Sequence, residues 1–201
     1  MRLRHLVLVR HGETVGESSI RYHGRNDVAL SETGCDQMRR VATALAETTF
    51  DAIYTSELRR TVQAARIVAP DASAQAVAGF NEICFGDWEG LTREEIQARD
   101  PQAYERWRAA LHEFTYPAGD SVAGFRIRVV ETFRRLLTEA PERALIVAHK
   151  GVISSIATDL LGLRAEERAR WPVDLASIHI LSASKNGWQA EVINRTDHLE
   201  S

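Results

Sequence analysis

Two cysteines in 201 residues, Cys35 and Cys84, are too few for a disulfide framework and suit a reducing compartment. Neither a Cys-x-x-Cys nor a His-Glu-x-x-His string occurs, and the seven histidines are scattered, so no metal site is signalled. No apolar run approaches the ~20 residues that a membrane-spanning helix needs. Arg2, Arg4, His5 and Arg10 interrupt the first apolar run, which argues against a secretory leader. Blocks of like charge are missing too: 25 Lys and Arg against 28 Asp and Glu leave a formal charge of -3, which disfavours nonspecific binding to nucleic acid or anionic membrane. Internal repeats, low-complexity tracts and linkers are absent. The expectation is a cytoplasmic protein, a monomer or homodimer, without a membrane or nucleic-acid partner. It would bind an anion through a few placed cations.

What is present is apolar content of 44%, enough for one core, so residues 1–201 read as a single domain. Leu6-Val7-Leu8-Val9 predicts a buried strand over about 3–9, ending in Arg10-His11-Gly12. Residues 13–30 show no period, and long irregular segments of this kind are often functional. Ser31 is placed to cap a helix running to about Thr48, with Met38, Val41, Ala42 and Leu45 on one face. Residues 52–55 predict a second strand, after which Ser56 would cap a helix to about Ala69 with Arg59 as its third residue. A cation there opposes the helix dipole, which makes better sense if Arg59 and the helix start both face a bound anion.

A short strand is expected at 73–77. Thr92 and Glu95 match a capping box, and Asp100-Pro101 matches the start of another helix, with Tyr104, Trp107 and Leu111 on one face. Residues 80–118 could form a lid. Ser121 opens a helix to about Glu139, and 144–148 is a further apolar strand that ends in His149-Lys150-Gly151, with a helix following to about Leu161. Two strands, about 177–181 and 188–193, joined at Asn186-Gly187, complete the chain. The alternation predicts an α/β fold: a three-layer αβα sandwich with a mainly parallel central sheet. The active site is expected at the C-terminal ends of the strands. If the strands ending at Arg10-His11, Ser56 and His149 are neighbours, Arg10, His11, Arg59 and His149 share one crevice. An arginine that stays charged beside a mostly neutral imidazole suits a phosphate dianion, Arg10 holding the charge and His11 attacking. Glu82, Asp87 and Glu89 stand in one aromatic-rich stretch and compete as candidates for a general acid.

These strings, taken in order, resemble the histidine phosphatase superfamily, also called phosphoglycerate-mutase-like, over nearly the whole chain. The resemblance rests on Arg10-His11-Gly12-Glu13-Thr14, on Gly24-Arg25-Asn26-Asp27 with Leu30-Ser31 and Gly34, and on Ser56-Glu57-Leu58-Arg59-Arg60-Thr61. It continues in Asn81-Glu82, Phe85-Gly86-Asp87-Trp88-Glu89-Gly90, Gly119-Asp120-Ser121 and His149-Lys150-Gly151. It lies nearest the small phosphatases of the alpha-ribazole phosphatase type. It implies a metal-independent, cofactor-free phosphomonoesterase acting on a small phosphorylated metabolite. His11 would form a phosphohistidine, Arg10, Arg59 and His149 would line the phosphate pocket, and Glu82 would be the general acid. Glu82 would then need a raised pKa from burial and from the bound phosphate. Two departures bear on the substrate. Glu17 stands where many members carry Asn, so Ser18 or Ser19 would substitute; Lys150 stands where many carry Gly. Ser18, Gly24, Arg25 and Lys150 are therefore expected at the substrate rim. A phosphoglycerate mutase and a non-catalytic phosphate-binding module of the same fold are the alternatives.

Overall fold

Leu6 and Leu8 point to one side of the first strand and Val7 and Val9 to the other, and all four are buried, so this strand is covered on both faces. The computed structural model describes residues 3–139, 141–164, 167 and 170–200. Among them, β1 (His5–Arg10), β2 (Ala52–Thr55), β3 (Ala74–Ala76), β4 (Arg143–Ala148), β5 (Ile178–Ser184) and β6 (Gly187–Arg195) form one sheet in the order β3-β2-β4-β1-β5-β6. β3, β2, β4 and β1 pair in parallel; β5 runs antiparallel to β1, and β6 antiparallel to β5. The three strands with polar ends are thus neighbours, as the shared crevice requires.

Helices α1 (Glu32–Ala44) and α2 (Arg59–Val68) cover one face, where Met38, Val41, Ala64 and Ala65 meet Val7, Val9, Ile53, Leu145 and Val147. The other face carries α5 (Val122–Glu139) and α6 (Lys150–Leu160), with Phe125, Val129, Phe133, Val152 and Ile156 against Leu6, Leu8, Tyr54 and Ile146. Helices α3 (Arg93–Arg99) and α4 (Pro101–Ala109) belong to the segment 80–118, which packs into that same cluster through Phe80, Trp88, Ile96, Tyr104 and Tyr116. The αβα layering and mainly parallel sheet are those expected from the alternation of elements.

Local signals act where expected. Ser31 accepts the Gly34 N–H at 3.0 Å. Thr92 and Glu95 form a complete capping box, and Asp100 caps α4 with Pro101 in its first turn. α1 ends before Thr48 because the Ala46 and Thr48 amides bond to carbonyls three residues back. The larger difference is at α2. Ser56 does not cap it: its Oγ accepts the Leu58 N–H at 3.1 Å, and the helix begins at Arg59. Arg59 is therefore the first helical residue, exposed to solvent, and Arg60 is the one turned inward, only 2% exposed. The reason is helical phase: at 3.6 residues per turn, adjacent positions point about 100° apart.

Candidate active site

The C-terminal ends of β1, β2 and β4 open into a cavity of about 580 Å³ lined by Arg10, His11, Arg60, Glu82, His149 and Lys150, with the loop at 18–24, Arg93, Glu94, Asp174 and Leu175. His11 is held by its neighbours in the sheet: its N–H donates to Ala148 O at 3.1 Å and its C=O accepts from Ala176 at 3.2 Å. Its side chain sets its own tautomer. Nδ1 lies 2.7 Å from the Gly12 carbonyl, which can only accept, so Nδ1 carries the proton and Nε2 keeps a free lone pair. Burial, then the nearby Arg60 and Arg10, push its pKa well below the ordinary histidine value, so the ring is neutral at pH 7.

Two guanidiniums, Arg60 buried and Arg10 half-buried, act on this imidazole. Arg10 donates from Nη1 to Val173 O at 3.0 Å, while its Nε is buried without a partner among the described residues. Arg60 donates to the Gly24 and Asn26 carbonyls at 2.7 and 2.8 Å and from Nε to His149 Nδ1 at 3.3 Å. Desolvation pulls its pKa down to about 10, despite Glu82 and Asp27 pulling the other way. Because Arg60 can only donate, His149 Nδ1 is an acceptor and its Nε2–H donates to Ser56 Oγ at 2.8 Å. The His149 ring stands edge-on to His11 with centroids 5.3 Å apart. Burial and Arg60 depress the His149 pKa as well.

Glu82 is the acid of its stretch that lines the cavity. Its two oxygens accept the Ile83 N–H at 3.0 Å and the Gly151 N–H at 3.1 Å, which fixes the carboxyl's direction. Gly151 has no room for a side chain: a Cβ would stand 2.6 Å from Glu82 Oε1 and 2.9 Å from Phe125. Glu89 instead accepts the Arg25 and Asn26 amides at 2.7 and 2.9 Å, and Asp87 is exposed outside the cavity. Gly24 closes that loop in left-handed geometry, φ 41°, where a Cβ would strike the Ile83 carbonyl.

The structure thus gathers Arg10, His11, Glu82, His149, Ser18, Gly24 and Lys150 around one cavity. Arg59 and Arg25 do not join them. Arg59 gives its backbone N–H to Asp27 at 2.7 Å and its side chain to solvent, and Arg25 is exposed away from the cavity. Arg60 takes the place foreseen for Arg59. Glu17 turns away and pairs with Arg21 at 3.2 Å, removing the repulsion that a carboxylate would exert on a dianion, while Ser18 donates to Glu13 at 3.0 Å. Arg93, Glu94, Asp174 and Leu175 are wall residues that no local motif marks. Among the described residues, no group of three or more His, Cys, Asp or Glu side chains is arranged to hold a metal ion, and no helix is long and apolar enough to cross a membrane.

Comparison with known proteins agrees with this geometry. The profile of the histidine phosphatase superfamily (branch 1) matches residues 6–196. The adenosylcobalamin/alpha-ribazole phosphatase of Escherichia coli is 32% identical over 173 residues, covering 84% of this chain and 85% of that protein. The glucosyl-3-phosphoglycerate phosphatase of Mycolicibacterium vanbaalenii is 32% identical over 184 residues, 86% of this chain and 80% of the relative. The crystal structure of the alpha-ribazole phosphatase from Shigella flexneri superposes with a TM-score of 0.86 at 29% identity, over 95% of this chain and 96% of that one. The chain belongs to the histidine phosphatase superfamily.

Proposed function

We propose that this chain is a phosphatase that hydrolyses a small phosphomonoester through a phosphohistidine on His11. The observation that carries the reading is the His11 tautomer: Nδ1–H is tied to Gly12 O, so Nε2 is an unprotonated nucleophile in the cavity that the Arg10 and Arg60 guanidiniums also line. Phosphoryl transfer asks a protein chiefly for positioning and charge stabilisation, and forked arginine donors suit a phosphate dianion.

In the first half-reaction the Nε2 lone pair attacks phosphorus, the bond to the ester oxygen breaks, and Glu82 gives its proton to that oxygen. The alcohol leaves and the phosphoryl group stays on His11. In the second, Glu82 takes a proton from a water that attacks phosphorus, and the P–N bond breaks. Phosphate is released with His11 neutral again. Splitting the displacement in two replaces one hard step by two easier ones. Arg10 and Arg60 balance the dianion in both halves. His149, bonded to Arg60 Nε, holds that guanidinium toward the phosphate. In this reading the charge that a divalent ion supplies in other phosphoryl transfers is supplied by Arg10 and Arg60.

Phosphate release from a panel of phosphorylated metabolites, compared with isomerised product, tests the reading. Release of inorganic phosphate is expected. Isomerised ester with no phosphate would make the chain a mutase, and binding with neither product would make it a non-catalytic module.

A further inference from the structure

Arg10, His11, Arg60 and Glu82 do not account for the whole lining of the cavity. Lys150 and Asp174 line it too, and both are exposed. Lys150 has no visible structural purpose. It is the first residue of α6, where the helix dipole disfavours a cation, and its side chain forms no hydrogen bond or ion pair with any described residue. Burial and the charge of Arg10 further disfavour its ammonium, and Asp174 is one of the charges that favour it.

Asp174 is the opposite case, a rim carboxylate that the fold takes trouble to hold. Its N–H donates to Asn194 Oδ1 and its Oδ2 accepts from Asn194 Nδ2, both at 2.7 Å. Asn194 is in left-handed backbone geometry, φ 52°, and gives its own N–H to the buried His179 at 3.2 Å. Ala176, φ 54°, ends the excursion two residues later. A cation and an anion thus line the same cavity, near enough for the charge of Asp174 to be felt by Lys150, without forming an ion pair with each other.

Resting on the phosphatase reading above, we infer that Lys150 and Asp174 are specificity-determining residues that together recognise the alcohol part of the ester. That part carries a carboxylate, met by Lys150, and a hydrogen-bond donor beside it, met by Asp174. Hydroxyl and ammonium donors share this chemistry, so the substrate class is the phosphate ester of a hydroxy acid or an amino acid. Asn194 is a positioning residue for Asp174.

Five esters separate the contributions. Para-nitrophenyl phosphate has neither group, phosphoethanolamine has the donor alone, and phosphoglycolate has the carboxylate alone. O-phosphoserine has carboxylate and ammonium, and 3-phosphoglycerate has carboxylate and hydroxyl. Lys150→Met should lower kcat/KM for the carboxylated esters about fivefold more than for phosphoethanolamine, the size expected of a partly wet charge contact. Asp174→Asn should lower phosphoserine or 3-phosphoglycerate about fivefold more than phosphoglycolate; whichever falls more identifies the donor. Asn194→Gly keeps the left-handed backbone, removes the clamp, and should reproduce the Asp174→Asn pattern as a raised KM with little change in kcat. Equal losses on all five esters, para-nitrophenyl phosphate included, would overturn the inference and put Lys150 on the reacting phosphate. If the wild type released phosphate from no ester, the phosphatase reading would fall. The inference would then stand or fall on thermal shifts by the same compounds, since phosphoserine must stabilise the wild type more than phosphoethanolamine does.

Discussion

Arg60 should give the empty protein only part of its hydrogen-bond energy and should be a main holder of bound phosphate. Its pKa of about 10, well below the ordinary guanidinium value, says that the empty site disfavours the guanidinium charge. At 1.36 kcal/mol per unit the penalty is about 3 kcal/mol. Removing the side chain relieves that penalty and forfeits three hydrogen bonds to Gly24, Asn26 and His149. Such bonds contribute about 1.5 to 3 kcal/mol each when one partner is charged, and water entering the vacated space restores part of that. Three such bonds sum to about 4.5 to 9 kcal/mol, of which the relieved penalty and the entering water offset the larger part, so Arg60→Met should lower the unfolding free energy by roughly 2 to 4 kcal/mol. With ligand the balance is different. Inorganic phosphate at about 100 times its Kd stabilises by about 2.7 kcal/mol, a Tm rise of about 5 to 10 °C for a chain of this size. Losing a charge-assisted forked contact of about 3 kcal/mol weakens binding over ~100-fold and cuts the rise to about 1 °C at the same phosphate concentration. Arg59→Ala, on the solvent side of the same turn, should keep the full rise. Melting curves of the three proteins with and without phosphate decide it. A full rise in Arg60→Met, or its loss in Arg59→Ala, would refute the assignment of the phosphate site.

Glu82→Gln should slow alkyl phosphates far more than para-nitrophenyl phosphate, whose leaving group departs without a proton; equal slowing of both would move the acid role elsewhere. His11 has its pKa pushed well below the ordinary value, so the acid limb of kcat/KM should lie well below pH 6.5; a limb at the ordinary histidine value would contradict the neutral nucleophile. Stability should respond to pH through His179, which is inaccessible to solvent and has a pKa lowered to about 4. Below about pH 6.5 the unfolded chain takes up a proton that the folded chain refuses, so stability falls with pH, by about 2 kcal/mol between about pH 7 and 5 from this residue alone. Urea titrations at the two pH values measure this, and no difference would contradict it. Activity should survive EDTA, because arginines carry the charge that a divalent ion carries elsewhere; loss on chelation, restored by Mg²⁺, would contradict the mechanism.

The sequence shows the residues that end strands and hides those that reach the cavity through tertiary packing. Arg10, His11 and His149 each follow a short apolar run, so their common location needs only the adjacency of β1, β4 and β2. Glu82 is legible among its rivals through the resemblance, and of the three it is the one that lines the cavity, Glu89 being engaged by the 24–26 loop and Asp87 facing solvent. The sequence points to Arg59 because Ser56 reads as a helix cap, whereas its hydroxyl joins Leu58, Thr61 and His149 in a network before the helix begins. The corrective signal was the small-residue face: Ala64 lies one turn beyond Arg60 and is fully buried, which turns Arg60 inward. Asp174 left no such trace, since it lies in a loop and its partner Asn194 is 20 residues away on β6.

The most direct test of the central claim is to mix enzyme with excess substrate, quench at alkaline pH within the first turnovers, and map the phosphorylated residue by peptide analysis. The account predicts one phosphoryl group, on His11, forming at least as fast as kcat and absent from an inactive His11→Ala variant. Steady turnover with no phosphate on His11, together with substantial activity in His11→Ala, would contradict it.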